Sequence, residues 1–259
     1  MAASGGVLLT LVVTLAAGRV PAGANEPAAS AVPVFVVDPF WPQPLPNNWL
    51  MGQAAGVAVD RRDHVWVVQR PRSLTDDERG ATLKPPRSLC CAPAPPVMEF
   101  DTTGALVQAW GGPGASHPWP DSEHGIHVDD RDHVWLAGNG ARDGMILKFT
   151  RDGKFVMKIG EPGVIGTDQD TRHLNRPAGL AVDPVTRELF VADGYGNHRV
   201  IVFDADTGSY KRHWGANGRP PGDATVKGFG NPVHCIRLSH DGLVYVCDRV
   251  NNRIQVFRK

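Results

Sequence analysis

Two histidines are set apart by their position. His124 and His234 each stand directly before a short apolar run, and the same place in two sister segments holds Ala55 and Ala178. Imidazoles brought together from separate segments are the usual donors of an open zinc site, which takes three protein ligands and leaves one position for water or substrate. The other histidines read differently. His64 and His133 recur in Arg-Asp-His-Val-Trp and mark a turn, and Gly242 at the matching place of the last segment predicts a positive φ there. His127 reads as a satisfied core or pocket histidine, and Asn197-His198-Arg199 as a structural turn. Cys90, Cys91, Cys235 and Cys247 show no metal-ligand spacing and no C-x-x-C. Cys235 and Cys247 fit a disulfide between neighbouring strands. Adjacent Cys90 and Cys91 would form a strained bridge. Small unpaired thiols are the alternative for both pairs.

What positions these residues is an internal repeat. The first unit runs from Ala55-Gly56-Val57-Ala58-Val59-Asp60 through His64–Val68, Val97–Asp101 and Leu106–Gly111. The second begins at His124 and continues through His133–Ala137, Met145–Phe149 and Phe155–Gly160. The third comprises Ala178–Asp183, Leu189–Asp193, Arg199–Asp204 and Tyr210–Gly215, and the fourth His234–Leu238, Leu243–Asp248 and Arg253–Phe257. Four short β-rich runs per unit of about forty residues, separated by Asp/Gly turns, are the mark of a propeller blade. The inner runs are apolar at consecutive positions, as expected of sheets buried on both faces. Trp66, Trp110, Trp135 and Trp214 recur at repeat positions and read as packing between blades. The insertion Pro71–Pro96 is long enough to be either functional or disordered.

Composition narrows the function. Lys+Arg and Asp+Glu are both 27, so the chain lacks the basic excess that nucleic acid requires. Val7–Ala17 is apolar but too short to span a bilayer, and Ala22-Gly23-Ala24 fits a signal-peptidase site. Residues 1–24 are therefore expected to be a signal peptide, and the mature protein to be secreted or periplasmic with no membrane span. Residues 25–51 form an N-terminal segment in which Val34–Val37 is expected as a strand closing the ring, and residues 52–259 form the propeller. The fourth unit has three strands, so the natural chain is expected to be longer, and monomeric when complete. A four-bladed ring or an assembly of half-propellers is the alternative.

The third and fourth units resemble NHL repeats, in Phe190–Phe203 (FVADGYGNHRVIVF) and Val246–Phe257 (VCDRVNNRIQVF). More narrowly, these segments, with Pro177–Pro184 and His124–Trp135, are similar to the propeller of the peptidyl-α-hydroxyglycine α-amidating lyases. They also resemble secreted bacterial NHL proteins. The resemblance implies a six-bladed, all-β propeller. In such a ring blades two, four and six lie about 120° apart, so a third histidine in blade six would complete a zinc site with His124 and His234. By the same resemblance, Tyr195 is the general base, a role that needs a neighbouring cation, and Arg70 and Arg249 stabilise developing negative charge. The alternative for both arginines is a loop-end ion pair with a neighbouring aspartate. The carbonyls of Val57 and Ile126 match those of a structural calcium site whose carboxylate lies in the missing blade. Gly196 replaces a cysteine of the family pattern.

Three functions follow as expectations. The first is a zinc-dependent lyase that splits an α-hydroxyglycine-type carbinolamide, a small or peptide-derived substrate, into an amide and glyoxylate. The second is a non-catalytic propeller that binds a ligand or a protein on one face. The third, a lactonase-like hydrolase, ranks last, because it needs a carboxylate-and-Asn metal shell where these blade starts carry His and Ala.

Overall fold

The structure, a computed structural model, describes residues 33–114 and 117–259. The expected signal peptide lies outside them. Residues 33–39 contain no strand, and Val34–Val37, expected to close a ring, are exposed. The compact unit is Phe40–Lys259.

That unit is an all-β propeller of four blades. Blade 1 is an antiparallel sheet of Gln53–Val59, Val65–Arg70, Val97–Phe100 and Leu106–Trp110. Blade 2 pairs Glu123–Val128, Val134–Gly138, Met145–Phe149 and Phe155–Gly160 in the same order. Blade 3 is Gly179–Val182, Glu188–Asp193, Arg199–Asp204 and Tyr210–Trp214, and blade 4 is Val233–Leu238, Leu243–Asp248 and Arg253–Arg258. In every blade the first strand is innermost, and each strand pairs with the next in sequence, as tight Asp/Gly turns dictate.

The blades are stacked by burial on both faces. Trp135, Ile146, Leu189, Val191 and Ile201 form one buried layer between blades 2 and 3. Trp66, Val97, Val134, Leu136 and Phe149 form another between blades 1 and 2. The repeated tryptophans act across these seams: Trp110 lies 5.3 Å from Phe149 and Trp214 lies 5.7 Å from Phe257. Trp41, Leu45, Trp49 and Met51 of the N-terminal segment pack over the other face of blade 1, against Val67, Met98 and Phe100.

The aspartate ending each inner run also joins neighbours. Asp60 and Asp129 each accept the indole N–H of their own blade's tryptophan, Trp66 or Trp135, at 3.0 Å. Each then meets a cation of the following blade: Asp60 with Arg151 at 2.7 Å, Asp129 with Arg187 at 3.4 Å, and Asp183 with Lys259 at 2.7 Å. The histidine turns are structural, as expected, but the positive φ falls one residue earlier. Asp63 (φ 59) and Asp132 (φ 61) take it, not His64 and His133. Aspartate tolerates that region, and Asp60 and Asp129 accept the backbone N–H groups around each turn.

The glycines of the inner strands explain how close these strands come. A Cβ on Gly56 would lie 2.6 Å from the carbonyl oxygen of His124, and one on Gly125 would lie 2.4 Å from that of Ala178. Each glycine therefore seats the blade-start position of the next blade against its own backbone. This contact carries the column Ala55, His124, Ala178 and His234 onto the axis, where all four line one cleft.

Candidate active site

Three loops and two strand starts meet at one end of the axis. The inner strands of blades 2 and 4 present His124 and His234, whose rings are 5.2 Å apart and nearly perpendicular. The turn after the second strand of blade 3 presents Tyr195, with its ring 5.0 Å from His124 and 5.8 Å from His234. The matching turn of blade 4 places the Arg249 guanidinium 5.8 Å from the centre of the Tyr195 ring. Four residues singled out from sequence thus converge. Arg70 joins on the His124 flank, where its Nε donates to the carbonyl of Glu123 at 2.8 Å.

The hydrogen bonds of His124 settle its tautomer. Nδ1 lies 3.1 Å from the Ala178 carbonyl, which can only accept, so Nδ1 carries the proton. Nε2 is then an acceptor and takes the Tyr195 hydroxyl proton at 3.0 Å. Burial pushes the His124 imidazole down to about 4, and the charges of His234, Arg70 and Arg249 act in the same direction. His234 is also lowered, by burial first and by Arg249 second. Both rings are neutral at neutral pH, the form that binds a metal or accepts a proton.

The turn that holds Tyr195 is braced from below. Asp193 accepts from the Asn175 backbone N–H at 2.8 Å, from the Asn197 amide at 2.8 Å and from Arg199 Nε at 2.9 Å. Asp193 and Arg199 are both 0% exposed. Asn197 and Arg199 are therefore structural, as the repeat suggested. Asp248, Asn251 and Arg253 repeat the same lock beneath Arg249.

Other expectations resolve locally. His127 is satisfied: its Nε2 accepts the backbone N–H of Val182 at 3.1 Å, and burial lowers it to about 4. His64 belongs to a trio with Asp60 and Glu99 whose ligand atoms lie within 4.8 Å of one another. The guanidinium of Arg151 already occupies that trio, bonded to both carboxylates. Cys235–Cys247 and Cys90–Cys91 are both disulfides. The insertion is anchored near both ends: Gln69 donates to the carbonyls of Ala94 and Pro95, and Arg72 to those of Pro120 and Asp121. Val57 and Ile126 line a 450 Å³ cleft of the axis, where the carboxylate of Asp183 is paired with Lys259.

Two residues of the site escaped the sequence reading. Arg176 stands 5.8 Å from the centre of the Tyr195 ring, and its carbonyl accepts the Tyr195 backbone N–H at 3.2 Å. Asn139 accepts from Arg176 through its carbonyl and from Arg70 through its side chain. The repeat held the signal two residues ahead of the histidine column, where Gln53, Ser122 and Arg176 correspond. All three join this network.

Sheet order, repeat and axial site together define an all-β propeller, and the NHL repeat family model matches residues 174–203. The chain is an all-β propeller with an NHL repeat in its third blade. It is 28% identical to mouse (Mus musculus) NHL repeat-containing protein 3 over 88% of this chain and 57% of that protein. It is also 28% identical to peptidyl-alpha-hydroxyglycine alpha-amidating lyase 2 of Drosophila melanogaster, over 88% of this chain and 52% of that one. The chain thus spans about half the length of these relatives. A solved structural-genomics protein of unknown function from Bacteroides thetaiotaomicron VPI-5482 shares the fold, with a TM-score of 0.51 and 13% identity, over 80% of this chain and 47% of that one.

Proposed function

We propose that the axial cluster is the active site of a carbon–nitrogen lyase acting on an α-hydroxyglycine-type carbinolamide. The observation that carries this reading is the convergence of Tyr195, His124 and His234, with Tyr195 Oη 3.0 Å from His124 Nε2. Tyr195 removes the substrate's hydroxyl proton. The C–O bond becomes a carbonyl, the C–N pair leaves with nitrogen, and nitrogen takes a proton, giving an amide and glyoxylate. Arg249 holds the carboxylate, and Arg70 stabilises the negative charge that develops in the reaction.

His124 and His234 would hold a zinc ion. The chemistry of the donors fits: two neutral imidazoles, with His124 offering Nε2, where the metal would replace the hydrogen bond from Tyr195, because Nδ1 is committed to Ala178. They supply two of the three protein ligands such a site takes. When bound, zinc polarises a substrate oxygen. Calcium does not fit the described residues by themselves, since Val57 and Ile126 offer backbone carbonyls beside an Asp183 already paired with Lys259; no step depends on it. The two disulfides support a secreted or periplasmic location.

The test is zinc content and glyoxylate release by the full chain. His124→Ala and His234→Ala should each lower bound zinc, and unchanged zinc in both rejects the ligand assignment. Ligand binding without glyoxylate release would make the protein a binding propeller.

A further inference from the structure

Three guanidiniums surround the His124–Tyr195–His234 cluster, and among the described residues none of them meets a carboxylate. Arg70 donates to the Glu123 carbonyl at 2.8 Å, to Gln53 Oε1 at 3.3 Å and to Asn139 Oδ1 at 3.2 Å. Arg176 donates from Nε to the Asn139 carbonyl at 3.0 Å, and its two terminal nitrogens have no partner among the described residues. Arg249 faces the Tyr195 ring and has no side-chain hydrogen bond among the described residues. Elsewhere among the described residues only exposed arginines, such as Arg172, Arg219 and Arg237, go without a carboxylate, whereas Arg70 and Arg176 are half-buried. Arg151, Arg187, Arg199, Arg212 and Arg253 all pair with aspartate or glutamate.

Neutral carbonyls and amides satisfy the donors of a guanidinium but not its charge. Arg70 and Arg176 are tied to the two acceptors of one residue, Asn139, so two like charges are held near each other in a half-buried place where solvent screens them poorly. Ser122 Oγ, 2.8 Å from the same Oδ1, fixes the Asn139 side chain. Arg249 comes from the blade 4 turn, faces the Tyr195 ring and shares no acceptor with Arg70 or Arg176. The cations therefore divide into a pair joined through Asn139 and a third held apart from that residue.

We propose that Arg70 and Arg176, joined through Asn139, form a second anion seat besides Arg249, so that the preferred ligand carries two carboxylates. The seat rests on the reading of the cluster as a ligand site, and it does not depend on turnover. Arg176 sets the preference, because Arg70 spends three donors on protein acceptors while the terminal nitrogens of Arg176 remain for the ligand. In the proposed reaction the second carboxylate belongs to the amide half of the substrate, and the first becomes that of glyoxylate.

Isothermal titration of the full chain with succinate and with propionate tests this. Wild-type protein should bind succinate about tenfold more tightly than propionate, the value of one charge-assisted pair. Arg176→Gln should bring the two within about twofold, and Arg176→Lys, which keeps the charge, should retain most of the preference. Wild-type protein that binds both equally, or neither, overturns the proposal, as does a preference that survives in Arg176→Gln. Glyoxylate release separates the two readings. Preference without release sinks the lyase and leaves the seat; release without preference sinks the seat alone.

Discussion

The lock beneath Tyr195 offers a test with an internal control. Arg199 and Asp193 are both 0% exposed, and Arg199 also donates to the carbonyls of Asp168 at 2.9 Å, Asp170 at 2.6 Å and His173 at 3.0 Å. Arg199→Met leaves the Asp193 carboxylate buried with its charge uncompensated and three carbonyls short of a donor. Breaking a buried pair by removing one partner costs about 3–5 kcal/mol. Blade 4 carries the same lock in a wetter setting, where Arg253 is 30% exposed and bonded to Asp248 at 2.7 Å. There water replaces part of what is lost, and Arg253→Met should cost about 1–2 kcal/mol. Equilibrium unfolding in urea measures both values. Asp193→Asn combined with Arg199→Met should cost less than the sum of the single changes, because the stranded charge is gone. Equal costs for the two arginines, or a cost below about 1 kcal/mol for Arg199→Met, would refute the view that burial makes the blade 3 lock the stronger.

Two further outcomes test the packing. His127 is held neutral at about 4 against 6.5 for a free histidine. The unfolded chain therefore binds the extra proton between these values, so stability is full above about pH 6.5 and falls towards pH 4, by about 2 kcal/mol at pH 5. His127→Gln should remove its share of that dependence in urea melts and leave the share of His124, which is also held at about 4; an unchanged slope would show that His127 does not contribute. Gly125→Ala should cost about 1–3 kcal/mol in the same assay, since its Cβ would meet the Ala178 carbonyl oxygen at 2.4 Å; a neutral effect would show that the inner strands can separate without cost.

Much of this architecture was legible in the chain because a blade is a local object. Each sheet pairs strands consecutive in sequence, so runs such as Leu189–Asp193 and Arg199–Asp204 announce both strand and partner. The column of His124 and His234 was legible for the same reason: equivalent repeat positions occupy equivalent places around an axis. What escaped depended on contacts between blades. Arg176 belongs to the site only because Asn139 of blade 2 and Tyr195 of blade 3 flank it, and neither neighbour is close to it in sequence register. The turn at His64 was misplaced by one residue because Gly242 corresponds to Asp63, not to His64: each donates its N–H to the carbonyl three residues before it, of Asp60 and Ser239, and each takes the positive φ. Val34–Val37 is strand-like in composition, but composition alone supplies no pairing partner.

The most direct test of the account is glyoxylate release from α-hydroxyhippurate by the full chain, measured side by side with Tyr195→Phe. The phenol oxygen is the group assigned to the substrate proton, and Phe preserves the ring packed against His124 and His234. The account predicts release by the wild-type protein and a loss of about a hundredfold or more in the variant, with zinc content and unfolding midpoint unchanged. Turnover that survives the loss of this hydroxyl, or a wild-type protein that releases no glyoxylate, would contradict it.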